Sequence, residues 1–139
     1  MLTKQLENTI IVRLDKGEEI HACLREVCET YGVRAASVTG IGAAKGVTIG
    51  MYDLETGRYS DLQLPDFMEI TNLSGNVSTL DGEAFLHLHI TLADENGHAF
   101  GGHLKRAYIG ATAEIFFTVY DTNIDSAHDD ATGLNTFHW

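Results

Sequence analysis

The chain has 139 residues, 44% of them hydrophobic, with twenty acidic residues against nine basic ones for a formal charge of -11. That length suits one domain with a substantial core and is short for two, while no apolar run approaches the roughly 20 residues of a membrane span. The negative charge, with Lys105-Arg106 as the only adjacent basic pair, disfavours nucleic acid and anionic membrane surfaces as direct partners.

The opening MLTKQLENTI lacks the positive-then-apolar layout of a secretory signal, so the cytoplasm is the expected compartment. NTIIVRL, residues 8 to 14, is β-branched and apolar and predicts a first strand. Ile20, Cys23, Leu24, Val27, Cys28 and Tyr31 then recur at three-four spacing, one apolar stripe of a helix. Asp15 with Glu18 fits an acidic capping box at its start, and Gly32 suits the left-handed residue at its end. His21 lies beside the stripe and reads as a surface residue. Cys23 and Cys28 are not in CxxC spacing and read as reduced, partly buried thiols.

Beyond the helix the pattern turns to period two and short apolar runs. It predicts strands near 34–40, 45–53, 58–64, 67–79, 83–93, 98–106 and 110–120, with Gly57, Gly82 and Gly97 in the turns. One helix against many strands implies an α/β fold of the α+β type: a mixed, largely antiparallel sheet with the helix packed on it. The glycines of TGIGAAKGVTIG, residues 39 to 50, do not match GxxxxGK[ST] and precede a β-type run, so they read as a close crossing between two strands. Neither GxSxG nor another nucleophile context is present. The whole of 1–139 is expected to form a single domain. Residues 121–139 are an acidic segment whose Leu134, Phe137 and Trp139 give it the means to dock, with a subunit interface as the expected place.

Four of the seven histidines fall within HLHITLADENGHAFGGHL, residues 87 to 104. On a strand His87 and His89 share a face, while Leu86, Leu88, Ile90 and Leu92 share the core face. A two-residue Asn96-Gly97 turn would put His103 opposite Ile90, on the core side. A Glu95-Asn96-Gly97 loop with Gly97 left-handed would put it opposite His89. The shorter turn with a bulge at Gly101-Gly102 would place it opposite Thr91, on the histidine face again. Two of the three registers gather His87, His89 and His103, the ligand set of an open site for a divalent metal, zinc first. His98 faces away from the trio in the favoured register. Glu114 and Asp121 are candidate carboxylates for completing or supporting the site.

The succession GEEIHACLREVCETYGVRAASVTGIGAAKGVTIGMYD, MEITNLSGNVS, FLHLHITLADENGHAFGGHL and AEIFFTVYD resembles the plants-and-prokaryotes conserved, or PPC, domain over essentially the whole chain. The resemblance implies a mixed, largely antiparallel sheet with one main helix, assembled as a homotrimer. Prokaryotic members are stand-alone domains often labelled as predicted DNA-binding proteins. In plant members a separate AT-hook with an RGRP core contacts AT-rich minor grooves, and these residues contain no RGRP. His87, His89 and His103 match the HLH and GGH histidines common in bacterial and archaeal members, which supports a metal there. The expectation is a homotrimeric metal-binding protein with room for a small-molecule ligand at the metal. The alternatives are a DNA-binding or transcription-associated module acting through partners, and a metal-dependent enzyme on a small substrate.

Overall fold

In this computed structural model, residues 1–64 and 67–139 are described. Strand β1 (Leu2–Leu6) comes first, then β2 (Thr9–Asp15), whose buried apolar residues alternate, followed by helix α1 (Ile20–Tyr31). Then come β3 (Ala36–Asp53), β4 (Arg58–Leu64), β5 (Met68–Leu80), β6 (Glu83–Ala93), β7 (Ala99–Val119), β8 (Asp125–Asp129) and β9 (Leu134–His138). Among the described residues they form one sheet in the order β1-β2-β7-β3-β5-β8-β9, with β4 beside β3 and β6 bridging β5 and β7. Among the described residues every strand pairing is antiparallel except one parallel contact, Thr79 with Asp125. The α+β reading of a mixed, largely antiparallel sheet with one helix is the observed fold.

The helix spans the predicted stripe, and Ile20, Leu24, Val27 and Cys28 are buried in it. Its end is as expected: Gly32 is left-handed (φ 64°) and Val33 N–H returns to the Cys28 carbonyl at 2.9 Å. Its start is not. Glu18 does accept the Asp15 N–H at 2.8 Å, but that bond closes the turn leaving β2. The cap is Glu19, which accepts from the Ala22 N–H at 2.7 Å, because a carboxylate one residue nearer the helix meets its free amides. Both cysteines are free thiols, and burial raises the Cys28 pKa to about 12.

Three strand expectations change. β1 has no apolar periodicity and all five residues are exposed; it exists because its backbone pairs with β2 from Leu2–Arg13 to Leu6–Thr9. The runs at 34–40 and 45–53 are one bent strand, and so are those at 98–106 and 110–120. The glycines that punctuate them are bends within strands: β3 shifts register between Gly40 and Gly42 and again between Lys45 and Thr48, and Gly46 is left-handed (φ 57°). Close crossing is the reason for Gly42, where a Cβ would fall 2.5 Å from the Thr112 carbonyl of β7. The bends let β3 and β7 each meet several partners, so that β6 reaches β7 and the sheet folds around the core.

The acidic segment is structured. β8 and β9 form a hairpin, Asp125–His138 to Asp129–Leu134, that joins the sheet of its own chain through β5. The buried Ser78 and Ser126 hydroxyls share a 2.8 Å hydrogen bond, and Thr79 N–H donates to the Ile124 carbonyl at 2.8 Å. No helix among the described residues is long and apolar enough to cross a membrane.

Candidate metal centre

His87 and His89 leave β6 on the side opposite the buried Leu86, Leu88, Ile90 and Leu92. The turn decides whether a third imidazole joins them. Gly97 is left-handed (φ 79°); its N–H donates to the Asp94 carbonyl at 3.0 Å, and Asp94 N–H donates to the His98 carbonyl at 3.1 Å. The Asp94 carboxylate accepts the Asn96 and His98 amides at 2.9 and 2.8 Å, the side-chain support that makes aspartate favourable before such a turn. This is the Glu95-Asn96-Gly97 loop. Ala93 pairs with Ala99 and His89 with His103. His98 is exposed, with its Nδ1 3.1 Å from Asp94.

His87, His89 and His103 therefore converge, with ring centroids 5.3, 5.3 and 5.4 Å apart and one nitrogen from each within 4.8 Å of the others. Tetrahedral zinc with Zn–N bonds of about 2.0–2.1 Å requires nitrogens roughly 3.4 Å apart, a difference that small side-chain rotations cover. Burial lowers the pKa of His103 to about 4, reinforced by His87, His89, His21 and Lys105, and burial followed by His89 lowers that of His87. The Nδ1 of His103 is buried without a hydrogen-bond partner. A neutral imidazole with an unpartnered nitrogen, beside two more imidazoles and no carboxylate in the cluster, fits a divalent ion.

The neighbouring strands shape this face. On β5, Ser74 pairs with His89 and Asn76 with His87, and Gly75 between them sits so close that a Cβ would overlap the His87 carbonyl oxygen. On the other flank His103 pairs with Gly50. The missing side chain at Gly50 admits Tyr59, whose ring lies 5.4 Å from that of His103 under the Lys105 ammonium. Lys105 is also paired with Asp61.

Glu114 and Asp121 are not in this site. Glu114 lies on the far half of β7 opposite Arg13 and Ile41, and Asp121 follows the end of that strand near Arg34. The length of β7 carries both away from His103. His21 is not a plain surface residue either: it is half-buried, its Nδ1 has no partner, and burial lowers its pKa. The helix is partly covered at His21, although Arg25 one turn later is exposed, and the stripe alone did not show this.

Two contributions escaped sequence reasoning. Asn76, whose Oδ1 is buried without a partner, stands beside His87; the alternation of LSGNVS would place it on one face, but only the pairing shows which. The second is the C-terminal hairpin. Ser126, His128, Leu134 and Phe137 line a cleft of about 460 Å³ together with His87 and His103, a contact between parts of the chain that local pattern cannot reveal.

The same fold occurs in known structures. A crystal structure from Bacteroides thetaiotaomicron, of a protein named as a candidate for DNA binding, is 31% identical and superposes with a TM-score of 0.95 over 99% of this chain and 96% of that one. A plant- and prokaryote-conserved (PPC) protein from Pyrococcus horikoshii is 32% identical, TM-score 0.88, over 99% and 95%. A protein from Archaeoglobus fulgidus named as metal-containing is 31% identical, TM-score 0.88, over 100% and 99%. In sequence, 130 residues are 32% identical to part of the bifunctional protein GlmU of a Synechococcus species; the match covers 91% of this chain but 19% of that protein, so the chain spans about a fifth of its length. The sequence profile of the Plants and Prokaryotes Conserved (PCC) domain matches residues 1–121, which hold the helix, both long bent strands and all three clustered histidines. The chain belongs to the Plants and Prokaryotes Conserved domain family.

Proposed function

We propose that this protein binds a divalent metal ion, zinc first, through His87, His89 and His103, and works as a homotrimer. The convergence of three imidazoles, with nitrogens within 4.8 Å, carries the metal reading; a similar protein named as metal-containing supports it. When bound, such an ion supplies a Lewis-acidic position. The chain's own part is to hold three neutral donors on one hairpin and to leave a cleft beside them. Exposed apolar residues around the β3–β4 hairpin, Met51, Leu54, Leu62 and Phe67, support association, since an edge strand such as β4 invites pairing unless it is covered. Trp139, 93% exposed, is the part of the C-terminal segment free to join an interface.

The test is metal content per chain. Wild-type protein takes up about one zinc, and His87→Ala and His103→Ala each lose most of it; equal uptake in wild type and the double variant refutes the site. Light scattering gives three times the chain mass of 15.2 kDa; a monomer refutes the trimer.

A second reading, a regulatory module that meets DNA through a partner, is favoured by the name of the Bacteroides relative. The charge of -11 and the engagement of Lys105 with Asp61 argue against direct contact. Salt-dependent submicromolar binding of the chain alone to an AT-rich duplex would reverse that preference. A metal-dependent enzyme on a small substrate is the third reading, and turnover that vanishes with the His103→Ala variant is its test.

A further inference from the structure

The cleft between the β6–β7 and β8–β9 hairpins carries more chemistry than metal binding uses. Its volume of about 460 Å³ lies within the ~300–1,000 Å³ of small-molecule sites. On one side are His87, His103 and Asn76; on the other stands the C-terminal hairpin, beyond the residues that the family profile matches.

Three features define the ligand. The first is charge. None of the described residues lining the cleft is Asp, Glu, Lys or Arg, so a divalent ion on three neutral imidazoles keeps its positive charge uncompensated and draws an anion. The second is the Asn76 amide, whose buried oxygen has no partner. An amide that turns end for end offers either acceptor or donor, so it can meet the oxygen of a carboxylate. The third is the apolar wall of Tyr59, Phe85, Leu134 and Phe137, which favours a hydrocarbon or aromatic body over a second charge.

We propose that this cleft binds a small organic monocarboxylate. Its head group completes the coordination of the ion and contacts Asn76, and its apolar body lies against Phe85 and the Leu134–Phe137 wall. The proposal rests on the metal reading above and adds the ligand class. The C-terminal hairpin thereby becomes the element that selects the body of the ligand, while the β6–β7 hairpin holds its charged end.

The experiment uses the full chain loaded with cobalt(II), whose visible absorption reports its coordination, titrated with benzoate, acetate and the uncharged benzamide. Cobalt uptake is measured first and tests the metal site by itself. Benzoate is expected to shift the spectrum with a midpoint about tenfold below that of acetate, and benzamide to leave it unchanged. Phe137→Ala is expected to bring benzoate to the acetate midpoint with cobalt content unaltered. Asn76→Asp, which sets a negative charge against the head group, is expected to weaken both acids about tenfold; should that variant fail to fold, Phe137→Ala and the comparison of the two acids still decide. Full cobalt uptake with no response to benzoate, equal midpoints for the two acids, or indifference to Phe137→Ala overturns the ligand proposal and leaves the metal reading standing. No cobalt uptake overturns both.

Discussion

The two hairpins facing each other across the cleft are held in opposite ways. β6–β7 is rooted in the core: Leu88, Ile90, Leu92 and Leu104 are buried, while the histidines emerge from the other face. Among its described residues β8–β9 has one buried side chain, Ser126, and is tied down by polar contacts at two places. One is Ser126 and Ile124 on β5; the other is the Tyr52 hydroxyl, which donates to the Thr132 carbonyl at 2.8 Å. A site built on the first hairpin is fixed by packing, whereas a wall built on the second can be altered without unfolding the domain. Metal ligands belong on the first kind of support and ligand selection on the second.

The same substitution on each side tests this most strongly. Leu88→Ala removes a side chain with no exposure and should cost about 3 kcal/mol in chemical denaturation, whereas Leu134→Ala on the half-buried wall should cost about 1 kcal/mol. Similar losses would mean that the C-terminal hairpin is part of the core. Gly75→Ala sharpens the comparison from the neighbouring strand. Its Cβ would overlap the His87 carbonyl, so β5 and β6 must part at the site, and a loss of about 2 kcal/mol with reduced zinc uptake is expected; full stability and full zinc content would show that the site is looser than its packing implies.

Ser126→Ala is a smaller change. It leaves the buried Ser78 hydroxyl without its partner and should cost about 1 kcal/mol, with metal content intact because the trio does not depend on that strap. A separate test is the effect of pH on metal-free protein. The His103 pKa of about 4 lies below the ordinary histidine value of about 6.5, so between these values the unfolded chain binds more protons than the native one. Stability should be full above about pH 6.5 and fall as the pH drops towards 4, and His103→Asn should flatten that part of the urea-midpoint profile. A wild-type profile already flat there would show that His103 is solvated.

Local chemistry made much of the first hairpin legible. HLHITLA alternates strictly, so the shared face of His87 and His89 followed from spacing, and of three possible turns two brought His103 to that face, the Glu95-Asn96-Gly97 loop opposite His89 being the one observed. The helix and its glycine end were legible for the same reason. The start of the helix was misplaced by competition between adjacent carboxylates, Glu18 and Glu19. The joining of short runs into β3 and β7 was hidden because a glycine ends a strand in one setting and bends it in another, and the partner strand decides which.

By itself, then, the sequence determined the secondary structure with local periodicity, the core face of each such strand, and the shared face of His87 and His89, all properties of residues a few positions apart; for His103 it narrowed the choice to three registers, two of which complete the trio. Tertiary structure decided what depends on distant segments meeting. It turned an acidic tail into a hairpin across β5, set Asn76 beside His87, covered His21, and carried Glu114 and Asp121 away from the site. Backbone pairing and burial act between residues tens of positions apart, and no local pattern encodes which of the available partners a strand will choose.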